Sequence, residues 1–437
     1  MTRRDADILR LAVPALGALV AEPLFLLADS AIVARLGTLP LAGLGLAGAA
    51  LSTAVSVFVF LAYGTTASVA RRLGAGDEAG ALAQGVDGMW LALGLGVVTA
   101  ALAVPGAGWV VDALGASAAA RPYAVTYLHL SLPGLPAMLV VLAATGVLRG
   151  LQDTRTPLVV AGAGAVLNAV LNLLLVHGLH LGIAGSAIGT AGTQVLMAVA
   201  LAVVVARGVR RTGARVRPHP FGVLRTALEG VPLLVRTLTL RAALLLTTAV
   251  AAAQGDASVA AHQVAMTVWT TTALALDALA IAAQALVGRA LGAADVEGVR
   301  ASVRRMVQWG VAVGAVLGLV VGVAAGGVAG FFAPDADVRA QLAAALLVVA
   351  ASLPLAGWVF VLDGVLIGAG DGRYLARAGL VTLAVYAPLA VLVAQVAPAG
   401  RTGLVWLWIA FAGAFVLARL LTLVRRERSG GWMVTGA

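Results

Sequence analysis

The sequence predicts an all-α integral membrane protein in which twelve transmembrane helices form two six-helix lobes. The first observation behind this fold class is composition. Hydrophobic residues make up 61% of the 437 residues and charged residues only 11%, with a mean hydropathy of +1.02. A soluble domain has roughly half apolar and a quarter charged residues, so this excess of apolar residues indicates a chain whose outer surface faces lipid.

The second observation is the recurrence of apolar stretches of about 20 residues or more, the length that a helix needs to cross a bilayer. Charged or Gly- and Pro-rich segments separate these stretches. Several exceed the minimum length, so we expect the helices to tilt or kink. The predicted spans cover residues 8–35, 42–70, 86–110, 122–148, 156–178, 183–206, 224–253, 259–288, 305–328, 338–367, 374–397 and 402–424.

The third observation is an internal repeat, because one fixed shift along the chain, the repeat offset, places Pro14 on Pro232 and Pro136 on Pro354 without a gap. Six spans per half is an even number, so both halves enter the membrane in the same orientation. We therefore expect the lobes to be related by a pseudo-two-fold axis along the membrane normal. The predicted domains are an N-terminal lobe at 1–206, a cytoplasmic linker at 207–223 and a C-terminal lobe at 224–437.

The arginines predict the sidedness of the chain, which has no lysine. Most arginines fall in segments on the side of the N-terminus, and the four that fall opposite are Arg35, Arg121, Arg339 and Arg401. The positive-inside rule then places both termini in the cytoplasm, for a multi-pass protein of the inner (cytoplasmic) membrane. This topology accounts for the net charge of +10, so no nucleic-acid partner is implied.

The sequence contains no pattern that predicts an enzyme. Cysteine is absent, which excludes disulfides, thiolate chemistry and cysteine-ligated metals. Clustered metal ligands, a nucleophile elbow and a phosphate-binding loop are missing as well. We expect neither catalysis nor a metal or cofactor, and we expect a monomer.

Four carboxylates within the spans are candidates for function because none of them is duplicated by the repeat. A charged side chain at the bilayer centre costs about 2.5–3.5 kcal/mol on insertion scales, so such residues normally face a polar interior. The alternative is that each is a buried polar group satisfied by Ser, Thr or Arg. The four residues are Glu22, Asp29, Asp277 and Asp363, and the repeat offset pairs them with Leu240, Thr247, Val59 and Thr145.

Two of these acids lie on a helix that we expect to bend. Glu22 and Asp29 are seven residues apart, nearly two helical turns, and so share one face of the first span. Pro23 lies between them and Pro14 precedes both. Proline removes a backbone hydrogen-bond donor and clashes with the preceding turn. A protonatable carboxylate on such a helix is suited to coupling ion binding to motion.

Amide side chains add polar capacity in the same half. Asn168 and Asn172 lie on one face of the fifth span at i, i+4, and Gln194 lies in the sixth. They predict either part of an ion-binding network or hydrogen bonds that hold helices together.

Several segments together resemble one transporter family. Pro14, then Asp29 fifteen residues later, followed by IVARLG at 32–37, resembles the first helix of the multidrug and toxic compound extrusion (MATE) family. Residues 259–265, VAAHQVA, resemble the start of that family's eighth helix. The segments DALAIAAQ at 277–284 and LDGVLIGAGD at 362–371 are similar to its DinF-like branch.

The resemblance implies an antiporter that expels small organic compounds, often cationic, by using inward proton or sodium flow. Asp29 matches the family's first-helix carboxylate, which is taken as the coupling site, and Asn168 matches an asparagine of the same network. Asn172 stands where some DinF-like members carry a second aspartate. Coupling would then rest on Asp29 with Glu22, or would also involve Asp277 and Asp363.

The expected mechanism is alternating access, with proton and substrate competing for Asp29 in a central cavity. We expect proton rather than sodium coupling, because the sequence shows no closely spaced set of oxygen ligands of the kind that sodium prefers. The residues assigned to the substrate cavity are Asp277, Asp363, Gln194, Gln284 and Arg241. The alternative function is a lipid-linked oligosaccharide flippase of the same superfamily, which would favour a cavity rich in basic residues.

Arg241 has a more specific predicted role, because it lies well inside the seventh span and its repeat equivalent is Pro23, beside Glu22. Equivalent positions on two lobes approach each other near a pseudo-two-fold axis. We therefore expect Glu22 and Arg241 to form a latch on the cytoplasmic side.

Overall fold

The computed structural model describes residues 3–333 and 335–436, and nearly all of these residues are helical, with no β-strand among them. Twelve helices in the described ranges are long and apolar enough to cross a membrane, which confirms the predicted fold class. In chain order they are α1 Arg3–Ala34, α2 Thr38–Gly74, α3 Glu78–Ala113, α4 Arg121–Gly150, α5 Arg155–Gly178, α6 Gly182–Thr212, α7 Pro220–Ala253, α8 Asp256–Gly292, α9 Val296–Phe332, α10 Ala336–Gly368, α11 Gly372–Val396 and α12 Arg401–Ser429.

The helix bounds reproduce the internal repeat. Shifting α2 by the repeat offset gives 256–292, which are the bounds of α8, and the bounds of every other pair agree to within one turn. Helix packing repeats as well. A side chain at Gly96 would collide with Pro136, and one at Gly314 would collide with the carbonyl oxygen of Leu353, next to the equivalent Pro354. Small residues at such crossings allow two backbones to approach closely.

Four local departures from α-helical geometry distinguish the helices. In α2 the helix is broken between Val57 and Phe60, and α4 contains a 3₁₀ turn at Leu132–Gly134. The fifth helix ends in a π-helical segment, Leu173–Gly178, and α12 contains another at Ile409–Phe415. The two π-helical segments are not repeat equivalents of each other, so they mark places where the halves have diverged.

The two prolines of α1 lie inside one continuous helix, Arg3–Ala34. Bending at Pro14 and Pro23 stays a prediction.

The described residues form two compact units, and the two boundaries between these units fall inside helices. One unit contains residues 13–230, and the other contains residues 3–12 together with 231–436. The two divisions lie inside α1 and α7 and are separated by the repeat offset. The first turns of each half's first helix therefore belong to the unit built by the other half. The linker predicted at 207–223 lies wholly inside the unit of residues 13–230.

Oppositely charged residues hold these two helix starts. Near the start of α1, Asp5 is 1% exposed and accepts hydrogen bonds from Arg305 Nε at 2.6 Å and Trp309 Nε1 at 2.9 Å. Just before α7, Arg215 lies 2.6 Å from the buried carboxylate of Asp87.

Asp87 and Arg305 occupy equivalent positions of the repeat with opposite charge. If each of the two helix starts packed in the place of the other, Asp5 would meet Asp87, and Arg215 would meet Arg305. Repulsion between like charges is a common source of specificity. Here it favours the pairing of Asp5 with Arg305 and of Arg215 with Asp87 that the structure shows.

Candidate functional site

The carboxylate of Asp29 is the centre of a buried polar cluster in the unit of residues 13–230. Its side chain belongs to α1 and is 2% exposed. Oδ1 accepts a hydrogen bond from Ser186 Oγ at 2.5 Å and one from Asn172 Nδ2 at 2.8 Å. Oδ2 accepts a hydrogen bond from the Tyr127 hydroxyl at 3.2 Å. The donors come from α6, α5 and α4, so one carboxylate joins four helices.

Further hydrogen bonds surround these contacts and close the cluster. Asn172 Nδ2 also donates to Asn168 Oδ1 at 3.2 Å, as the i, i+4 spacing on α5 predicts. Asn168 Nδ2 donates to Thr190 Oγ1 at 3.2 Å, and the Tyr127 hydroxyl lies 3.5 Å from the same oxygen. Asn168 and Asn172 are fully buried. Buried polar networks of this kind are stabilising only when their members find partners.

Glycine at position 189 of α6 makes room for this arrangement. A side chain there would overlap Oδ1 of Asn172. That oxygen is buried and has no hydrogen-bond partner in the described part of the chain. The cluster therefore holds one buried acceptor that is unpaired within the described residues.

The groups that donate to Asp29 are all neutral: a hydroxyl, a phenol and an amide. Burying a charge without an opposite charge is costly, and hydrogen bonds to the charged form reduce that cost. Protonation of Asp29 would remove the buried charge and would leave no buried cation behind. The arrangement is therefore compatible with both protonation states.

The phenol of Tyr127 lies near two acceptors, Asp29 Oδ2 and Thr190 Oγ1. A hydroxyl has one hydrogen to donate, so Tyr127 donates either to Asp29 or to Thr190.

Sequence reasoning found part of this cluster and missed the rest. The structure brings Asp29, Asn168 and Asn172 together, whereas Glu22 is exposed and is not among the groups that bond to Asp29. Tyr127, Ser186 and Thr190 were not identified from the sequence. The internal repeat could have identified these three residues, because none has the same residue at its equivalent position. The repeat offset pairs them with Ala345, Leu404 and Trp408. Unduplicated polar residues within spans were as informative as unduplicated acids.

The equivalent place in the other half is uncharged. Thr247 and Tyr386, the repeat equivalents of Asp29 and Asn168, are fully buried with their hydroxyls 2.5 Å apart. Phe411 packs against Tyr386 with ring centroids 6.0 Å apart, and against Trp408 at 5.7 Å. Aromatic side chains fill the volume that the first half uses for its polar cluster. The site is therefore present once, despite the duplicated fold.

Asp363, the second buried acid, has a different environment. In α10 it is 5% exposed and lies between two arginines of the same unit. Arg419 Nη2 of α12 is 2.9 Å from Oδ1, and Arg236 of α7 pairs with both carboxylate oxygens. Two guanidinium groups stabilise a carboxylate in its charged form. Asp363 is thus a fixed anion that ties three helices together.

Burial differs among the remaining predicted residues. Asp277 and Gln194 are partly buried, and Gln284 is buried with a side-chain amide nitrogen that has no hydrogen-bond partner in the described ranges. Arg241 is exposed. Glu22 and Arg241 belong to different units, and their latch stays a prediction, as does the assignment of these residues to a substrate cavity.

No group of three or more His, Cys, Asp or Glu side chains that could hold a metal ion occurs within the described residues.

Comparison with known proteins identifies related chains. The sequence profile of the MatE family matches residues 14–174 and again residues 232–392. Both the starts and the ends of these matches are separated by the repeat offset, so the profile recovers the repeat independently.

Curated relatives cover most of the chain. The chloroplastic Protein DETOXIFICATION 44 of Arabidopsis thaliana is 31% identical over 98% of this chain and 83% of its own length. DNA damage-inducible protein F of Escherichia coli is 28% identical over 84% of this chain and 82% of its own. Among solved structures, the Vibrio cholerae MATE transporter VcmN, determined as a variant, has a TM-score of 0.87 with 22% identity, over 98% of both chains. That structural likeness shows a shared fold.

Proposed function

Because the chain belongs to the MatE family of multidrug and toxic compound efflux transporters, we propose that it is a proton-coupled antiporter with Asp29 as its proton-binding group. The observation that carries the proposal is the environment of Asp29, a buried carboxylate whose hydrogen-bond donors are all neutral. The exported substrates would be small organic compounds, often cationic. The flippase alternative finds no support in the family match.

The contrast between the two buried acids supports Asp29 over Asp363. Protonating Asp363 would remove the anion that Arg236 and Arg419 share, and loss of the charge of one member of a buried ion pair is strongly destabilising. Protonating Asp29 takes the anion away from no cation, because its hydrogen-bond donors are neutral. A carboxylate that must gain and lose a proton in each cycle needs the second kind of environment.

Tyr127 links the protonation of Asp29 to the packing of the helices around it. When Asp29 is ionised, the phenol donates to Oδ2. When Asp29 is protonated, its oxygens become weaker acceptors, and the phenol donates instead to Thr190, 3.5 Å away. This exchange changes the hydrogen bonding between α1, α4 and α6. A cationic substrate would stabilise the ionised carboxylate, so proton and substrate would compete for one group.

The proposal includes a membrane orientation. The chain is a multi-pass membrane protein with twelve spans in its described ranges. Arginine distribution supports an orientation in the bacterial inner membrane with both termini in the cytoplasm. We further propose a monomer whose repeat units are residues 1–206 and 224–437, joined by the linker 207–223.

The coupling ion is tested with purified protein in liposomes and a panel of cationic dyes. A pH gradient imposed without sodium should drive dye transport, and a sodium gradient imposed without a pH gradient should not. Dye transport driven by sodium alone would overturn the proposal.

Tyr127→Phe tests the proposed switch. The variant keeps the ring and two of the three donors to Asp29, so it should fold normally. We expect the rate of proton-driven dye transport to fall by about tenfold or more, since a hydrogen bond to a charged group contributes about 1.5–3 kcal/mol.

Tyr386→Phe is the matched control for this variant. It removes a tyrosine hydroxyl from the equivalent region of the other half, where, among the described residues, Tyr386 hydrogen-bonds to Thr247 alone. Its transport rate should remain near that of the unmodified protein. Equal losses in the two variants would mean that the hydroxyl of Tyr127 has only a packing role.

A further inference from the structure

A basic cleft lies at one end of the helix pair α11 and α12, away from the Asp29 cluster. The first turns of α11 and the last turns of α12 enclose a volume of about 390 Å³. Its walls include Arg377 and Val381 of α11, and Thr422 and Arg425 of α12. Because α11 begins and α12 ends here, the cleft lies at a boundary between membrane and water.

Two residues of the cleft are held by partners and form a fixed floor. Arg426 donates from Nε to Asp371 Oδ2 at 2.6 Å and lies over the Tyr374 ring, with Cζ 5.1 Å from its centroid. The Tyr374 hydroxyl donates to the carbonyl oxygen of Thr422 at 2.7 Å. These contacts join α11 to α12.

Two other arginines of the cleft are available to a ligand. Arg377 and Arg425 are exposed, and neither makes a hydrogen bond or an ion pair within residues 3–333 and 335–436. They come from different helices and line the same cleft. Guanidinium groups are well suited to phosphate, to which they donate in a forked geometry.

The side of the cleft that faces the membrane is apolar. Leu380 follows Arg377 by three residues, and Leu421 precedes Arg425 by four, so each leucine shares a helix face with its arginine. Both leucines are exposed, at 53% and 61%. Exposed leucines on membrane-spanning helices contact lipid chains. A ligand that satisfies both features carries a phosphate and a hydrocarbon tail.

We propose that this cleft binds the headgroup of an anionic phospholipid, with its phosphate between Arg377 and Arg425 and its acyl chains along α11 and α12. Basic pockets between transmembrane helices are known to hold such headgroups. Free inorganic phosphate has the same charged group as the headgroup and lacks the acyl chains. Binding of a phospholipid and binding of free phosphate can therefore be distinguished by experiment.

The repeat shows that the cleft is more than a consequence of sidedness. The equivalents of Arg377 and Arg425 in the first half are Val159 and Arg207. The arginine of α12 thus has an equivalent in the first half and that of α11 has none, so this pair across two helices is specific to the second half. Arg207 and Arg210, both exposed on α6, provide a control with the same loss of charge.

The test is the thermal stability of the purified full-length protein in a neutral detergent. Added phosphatidylglycerol should raise Tm by about 3 °C or more, because a ligand of the folded state shifts unfolding to higher temperature. Phosphatidylethanolamine and inorganic phosphate should leave Tm unchanged. The R377Q/R425Q variant should lose most of the shift, and R207Q/R210Q should retain it.

Three results would overturn the proposal. Equal shifts in all variants would indicate adsorption by charge alone. A shift produced by inorganic phosphate would indicate a site for a free anion. A normal shift in Arg377→Val, which installs the residue found at the equivalent position of the first half, would show that the arginine pair is not needed. The single variant also covers the case in which the double variant fails to fold.

Discussion

Replacing Asp29 with asparagine should abolish proton-driven export and leave the protein folded in the membrane. Asparagine keeps the size of the side chain and can still accept hydrogen bonds from Ser186, Asn172 or Tyr127 through its carbonyl oxygen. It has no proton to gain or lose. We expect transport driven by a pH gradient to fall to the level of liposomes without protein, with normal insertion and an unchanged elution profile in detergent.

Glu22→Gln is the matched control, because Glu22 lies on the same helix face and outside the Asp29 cluster. This variant should keep most of the transport activity. Loss of activity in both variants would show that the two acids act together, which is one of the arrangements that the sequence left open. Normal pumping by Asp29→Asn together with loss in Asp277→Asn would place the coupling site in the other half and refute the assignment.

Replacing Asp363 with asparagine should have a different consequence, the loss of folded protein. The variant would remove the anion that Arg236 and Arg419 share. Removing one partner of a buried ion pair costs about 3–5 kcal/mol, a large fraction of the stability of a typical domain. We expect a marked fall in Tm and in the yield of folded protein, measured in detergent before any transport assay.

Asp371→Asn serves for comparison, since Asp371 pairs with one arginine, Arg426, at a more exposed position. Its Tm should change far less than that of Asp363→Asn. A stable Asp363→Asn variant with altered preference for substrate charge would instead support the role in the substrate cavity that the sequence predicts. The same selectivity is expected of Asp277→Asn, for which that prediction stands.

Hydropathy and the repeat were enough to predict the architecture. A bilayer offers no water to hydrogen-bond spanning backbone groups, and an α-helix is the structure that satisfies all of them within one segment, so apolar stretches of about 20 residues become helices. The repeat offset then relates the helix bounds of the second half to those of the first to within one turn. The spans and their repetition can be predicted from the sequence because they depend on local composition and on comparison of the two halves of the chain.

The sequence by itself determined that this chain is a twelve-span membrane protein of duplicated design, and it identified Asp29 as an unduplicated acid. Only the tertiary structure decided that Asp29 is surrounded by neutral donors and Asp363 by two arginines. In the sequence both are simply acids within a span. Their partners are distant along the chain, up to 157 positions for Asp29 and Ser186, on helices whose crossing and rotation set which side chains meet. Local pattern carries no information about those crossings, and the charge of the partners determines what each acid can do.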